Sequence, residues 1–155
     1  MENTALKVLT ASQAGILTSI LDRIIPEAGK MPSAGSLGIT AFFDKVLDVA
    51  PYQRKFILGG ITQLEILSWR QHEASFMDLS DADKDALLSE MEKDEKEFFS
   101  LLVRVTYNGY YTDAKVFAAM GWELPDESGY EVPVFDENVL DQVRQRGPIF
   151  VDIKD

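Results

Sequence analysis

Cysteine is absent from the 155 residues, and His72 is the only histidine. Disulfide frameworks, thiolate metal sites and cysteine nucleophiles are thereby excluded, as is a multi-histidine metal cluster within one chain. Positive charge is scarce: 15 Lys and Arg against 26 Asp and Glu give a net charge of −11. Affinity for phosphate polyanions comes from Lys and Arg releasing counterions. Nucleic acids and anionic membrane surfaces are therefore poor partners. Long apolar runs are also missing. The longest charge-free stretch, Val8 to Leu21, contains Thr10, Ser12, Gln13 and Thr18 and falls short of the about 20 apolar residues of a membrane span. No twin-arginine or Lys-rich leader precedes it. The expectation is a cytoplasmic chain as it stands, or a periplasmic one if an export signal has been removed.

What is present suits a folded domain. The hydrophobic share is 46% and the charged share 26%, a composition that buries a core rather than staying disordered. Acidity is concentrated. Residues 1–77 hold seven acids and seven bases, residues 78–97 nine acids against three Lys, and residues 123–155 nine acids against three bases.

Periodicity and punctuation predict an all-α fold, a single helical domain of about five main helices with an irregular acidic C-terminal arm. Thr10 and Gln13 form a capping box for a helix over about 11–25, stopped by Pro26. The Pro and Gly density of 26–38 marks a loop. Helices follow at about 37–49 and 52–76, the second interrupted by Gly59-Gly60, where a kink, a close helix crossing or a break are the alternatives. Ser80 caps a fourth helix, and a fifth spans about 94–108. A short helix at 137–146, capped by Asp136, and an extended end at 147–153 complete the reading. The expected boundaries are a helical domain at 1–122 and an arm at 123–155.

Sites of chemistry are few. His72-Glu73 lacks the second His four residues on that a metalloprotease helix needs, because position 76 is Phe; His72 is expected as a partly exposed helix-face residue. Asp81, Asp83, Asp85 and Glu92 stand at positions 1, 3, 5 and 12 of a calcium loop, but Ala86 replaces the Gly of the sharp turn. The same window reads as a helix start, and a calcium-regulated protein is carried as a third hypothesis. The carboxylates of 90–97 are interleaved with Lys93 and Lys96 and read as a charged surface. Gly35-Ser36-Leu37-Gly38 follows no strand and precedes no Lys-Ser/Thr, so it is not a phosphate loop. No catalytic, cofactor-binding or metal residue is expected, and the chain is expected to assist rather than catalyse. The aromatics of 107–130 either cap the core or serve an interface, where Tyr and Trp are favoured. The expected partner-facing residues are Tyr107, Tyr110, Tyr111, Trp122 and Tyr130.

Three stretches add a resemblance. Leu21-Asp22-Arg23-Ile24-Ile25-Pro26 is followed by the Gly-rich loop and Gly38-Ile39-Thr40-Ala41-Phe42-Phe43-Asp44-Lys45-Val46-Leu47. Phe76-Met77-Asp78-Leu79-Ser80 comes next, with Leu87-Leu88. Last are Phe98-Phe99-Ser100-Leu101-Leu102, Thr106-Tyr107-Asn108-Gly109-Tyr110-Tyr111-Thr112-Asp113 and Met120-Gly121-Trp122. Over about residues 9–130 the chain resembles the small third subunit of gluconate 2-dehydrogenase and its relatives. The resemblance implies a non-catalytic subunit without a cofactor of its own. It would accompany a large FAD-containing flavoprotein of the glucose–methanol–choline type that oxidises a sugar, sugar acid or polyol, often with a cytochrome c as electron acceptor. Many relatives carry a twin-arginine export signal; none stands before Thr10 here. The alternative is a free-standing helical interaction module, possibly homodimeric, without an oxidoreductase partner.

Overall fold

A computed structural model describes residues 6–122 and 135–147. The described residues form helices and loops with no strand, so the fold is all-α. The chain divides into two units, Met1–Leu124 and Pro125–Asp155.

In the first unit, α1 (Ala11–Ile24) opens on the expected capping box. Thr10 Oγ1 accepts from Gln13 N at 3.2 Å, and the Gln13 side chain accepts from Thr10 N at 3.0 Å. The apolar residues Ile16, Leu17, Ile20 and Leu21 fall on one buried face, as a 3.6-residue period requires. Next, α2 (Ile39–Val49) starts two residues later than its apolar spacing suggests, since Gly38 adopts a positive φ and forms its N-cap. Pro51 occupies the first turn of α3 (Pro51–His72), where its missing N–H costs nothing.

The Gly59-Gly60 pair lies inside α3 without breaking it. The reason is a helix crossing: a Cβ built on Gly60 would sit 2.1 Å from Cδ2 of Phe98, whereas Gly59 faces open space. The end of α3 differs from the expected residue 76. Glu73 turns the chain at φ 55, and a separate 3-10 turn follows at Phe76–Asp78. Side chains of α3 hold that exit. Ser68 Oγ donates to Ala74 O at 2.7 Å, and Glu65 accepts from Phe76 N at 3.0 Å. His72 is exposed in the last helical turn.

Ser80 caps α4 (Asp81–Asp94) by accepting from Asp83 N. In α5 (Lys96–Tyr110), residues Phe98, Leu101, Leu102, Val105, Thr106, Gly109 and Tyr110 are buried. This broad stripe lets α5 pack on α1, α2, α3 and α4, making it the centre of the unit. A sixth helix, α6 (Ala114–Ala119), was not foreseen from periodicity because it is less than two turns long; Asp113 caps it by accepting from Lys115 N.

In the second unit, α7 (Val139–Arg146) has no buried residue. Its N-cap is Asn138, without a side-chain cap; Asp136 instead accepts from Asn138 N and Nδ2 just before the helix. The extended end expected over 147–153 lies, from residue 148 on, outside the described residues. No described helix is long and apolar enough to cross a membrane.

Candidate partner-binding surface

The aromatic residues singled out from sequence are separated by the geometry of α5. Tyr107 and Tyr111 stand four residues apart and so share a helix face; they are 44% and 42% exposed, with ring centroids 5.6 Å apart. Tyr110 points the other way. It is 1% exposed, and its hydroxyl donates to Pro32 O at 2.7 Å. Burial, with Tyr111 beside it, pushes the phenol above its ordinary pKa, which keeps it a neutral donor. The expectation that Tyr110 faces a partner is therefore corrected: it is a core residue that ties α5 to the 26–38 loop. Its edge meets the Tyr111 ring at 5.1 Å, so it also props the exposed tyrosine from beneath.

Trp122 is presented differently. After α6, Gly121 takes φ 79, its N–H donates to Ala118 O, and Trp122 N donates to Phe117 O. This pair of bonds is a Schellman closure, which calls for a residue without a Cβ penalty at the left-handed position. It places the Trp122 ring 6.0 Å from the Phe117 ring with 64% of the residue exposed. Among the described residues, Trp122 makes its aromatic contact with Phe117 and not with the three tyrosines. Tyr130 lies outside the described residues.

Sequence reasoning missed two further members of this surface. Phe99 and Val103 continue the Tyr107 row back along α5 at four-residue spacing, and both are half-buried rather than covered. With Ile24 and Leu88 they line a cleft of about 450 Å³ that ends at Tyr107. The four-residue recurrence of 99, 103, 107 and 111 was the available signal.

One rim of this cleft is built by charge. Arg23, near the end of α1, donates from Nε and Nη2 to both oxygens of Asp85 and lies 2.9 Å from Asp81 through Nη1. The guanidinium hydrogen bond holds the Asp85 carboxyl below its ordinary pKa. Asp81 and Asp85, which stand at calcium-loop positions in the sequence, thus face Arg23, and Asp83 accepts from its own cap residue, Ser80. Asp81 and Asp85, one helical turn apart, converge on a guanidinium, and the described residues contain no group of three or more His, Cys, Asp or Glu able to share a metal.

The residues that carry the family resemblance do structural work close to this surface. Asp22 accepts from Gly35 N at 2.8 Å, so an N–H of the Gly-rich loop is engaged by the protein's own carboxylate. Ala34 N donates to Ile25 O at 3.0 Å. Together with Tyr110 and Pro32, these bonds make the Asp-Arg-Ile-Ile-Pro helix end and the Gly-Tyr-Tyr-Thr-Asp turn converge on a single loop. The arrangement offers a rigid apolar and aromatic surface.

Comparison with protein-family models finds the one described as gluconate 2-dehydrogenase subunit 3, matching residues 11–126. Comparisons with curated proteins and with solved structures give no match. The family match runs from the first residue of α1 past α6, and the chain belongs to the gluconate 2-dehydrogenase subunit 3 family.

Proposed function

We propose that this chain is a non-catalytic small subunit that binds and stabilises the FAD-containing large subunit of a sugar, sugar-acid or polyol dehydrogenase, with a cytochrome c as a further member of the complex. The observation that carries the reading is the pair Tyr107 and Tyr111, in tilted ring contact and half-exposed at the end of a core helix in a chain of a family named for a dehydrogenase subunit. A tyrosine fixed from below binds with little loss of conformational entropy, and such aromatic anchors dominate interface energetics. Trp122, held by its backbone closure, supplies a further anchor of the same kind.

The chain, purified from its native cell under mild conditions, is expected to bring with it a larger yellow protein with a flavin absorption spectrum. Replacing Tyr107 and Tyr111 together by Ala is expected to weaken that association by roughly 2–4 kcal/mol, the range of interface hot spots, while leaving helicity unchanged. A homodimer that buries the two tyrosines and carries no flavoprotein would instead establish the free-standing module.

A further inference from the structure

The groove between α4 and the outer face of α5 is flanked by an acid on the α4 side and by bases on the α5 side. Phe99, Val103 and Tyr107 form one ridge, continued by Tyr111; at 1.5 Å per residue the ridge from 99 to 111 runs about 18 Å. Two adjoining hollows of about 450 and 460 Å³ lie along it and share Glu92, Phe99 and Val103. On the α4 side the rim residue is Glu92. Toward α3 the rim is the next ridge of α5, with Lys96 and Arg104. These three side chains are exposed, and none forms an ion pair with another described residue, whereas Arg23, Asp81 and Asp85 at the end of the same groove are paired with one another.

We propose that this groove seats one amphipathic helix of the large subunit. Its apolar seam would lie on Phe99, Val103 and Tyr107, a Lys or Arg on one edge would meet Glu92, and an Asp or Glu on the other edge would meet Lys96 and Arg104. The proposal rests on the preceding reading and adds the chemistry of the partner. A helix fits for two reasons. Side chains recurring every four residues form a ridge that packs into the grooves of another helix. A helix also satisfies its own backbone groups, whereas an extended segment would leave N–H and C=O groups against an apolar floor. The split of charge across the ridge fixes which edge faces which wall, because like charges brought together at an interface disfavour the wrong orientation.

The test uses the complex retained from the native cell. Glu92→Lys and Arg104→Glu change exposed residues and are expected to keep the wild-type thermal melt. Each is expected to lower retention of the flavoprotein by about tenfold, and more steeply at low salt. A photo-crosslinking residue at position 103 is expected to capture a flavoprotein peptide with apolar residues at helical spacing, flanked by a basic edge and an acidic edge. Retention unchanged by both charge reversals, a captured peptide without that pattern, or capture of a second copy of this chain would overturn the groove assignment while the wild-type complex still stands. If the wild-type chain retains no flavoprotein at all, the preceding reading fails and this one with it.

Discussion

Gly60→Ala is expected to destabilise the protein by about 2 kcal/mol, while Gly59→Ala, one residue earlier, is expected to stabilise it by up to about 1 kcal/mol. In an exposed helix interior each Gly costs roughly 1 kcal/mol relative to Ala, because the unfolded chain loses more freedom on folding. Gly59 meets that condition, since nothing lies within 4 Å of its added Cβ. Gly60 does not. Its Cβ would come within 2.1–2.5 Å of three atoms of the Phe98 ring, and Phe98 is itself buried in the core. The ring cannot retreat without displacing other close-packed side chains, and such overpacking costs about 1–3 kcal/mol or more. Thermal unfolding followed by circular dichroism is expected to show a midpoint lowered by roughly 4–8 °C for Gly60→Ala and unchanged or raised for Gly59→Ala. Equal shifts in the two variants would contradict the crossing of α3 and α5 at this point.

Asp44 is expected to show the second large effect. Its carboxylate is buried within α2 and accepts from three consecutive backbone N–H groups: Lys7 at 2.7 Å, Val8 at 2.9 Å and Leu9 at 2.8 Å. Asp48, one turn on, lies 2.8 Å from Lys7 Nζ. The chain before α1 is thus pinned to α2 by a charge-assisted cluster. Burial acts to raise the Asp44 pKa, but the three donors and the Lys7 charge together outweigh it and hold the carboxyl below its ordinary value. A group whose folded pKa lies below its unfolded value of about 3.9 stabilises the fold above that pH, and the contribution is lost as pH falls through the folded pKa. The Lys7–Leu9 segment is therefore expected to hold at neutral pH and to release in acid below about pH 4. Asp44→Ala is expected to cost about 3 kcal/mol, the upper range for hydrogen bonds to a charged acceptor, since it also leaves the buried Leu9 N–H unpaired. Amide exchange at Val8 and Leu9 reports the release directly. Wild-type protection in Asp44→Ala would contradict the role assigned to this carboxylate.

The parts of the fold legible in the sequence are those set by chemistry within a few residues. The Thr10–Gln13 box, the Ser80 cap and the stop before Pro26 each depend on neighbours along the chain, and the structure has all three. The end of α3 was not legible, because Phe76 sits at a helical spacing while Glu65 and Ser68 draw the chain out of the helix through contacts that spacing does not encode. The role of Gly60 likewise depended on Phe98, 38 residues away. The surface was half legible. Aromatic composition pointed to residues 107–130, yet composition does not say which ring faces outward. The core spacing of α5, continued from Leu102 and Thr106, leads to Tyr110 and identifies it as buried. The same spacing shifted by one residue leads from Phe99 and Val103 to Tyr107 and Tyr111. Arg23 shows the other limit: its partners Asp81 and Asp85 were visible only as an acidic run, and their pairing across helices required the fold.

The central claim is that this chain stabilises a flavoprotein by binding its folded state. Binding of that kind raises the partner's stability by RT ln(1 + [L]/Kd), about 2.7 kcal/mol when the chain is at one hundred times its dissociation constant. The decisive measurement is thermal release of FAD from the large subunit, followed by flavin fluorescence over a titration of this chain. The release temperature is expected to climb with the logarithm of chain concentration, and to climb much less with the Tyr107→Ala/Tyr111→Ala variant. A release temperature independent of the concentration of this chain would contradict the account.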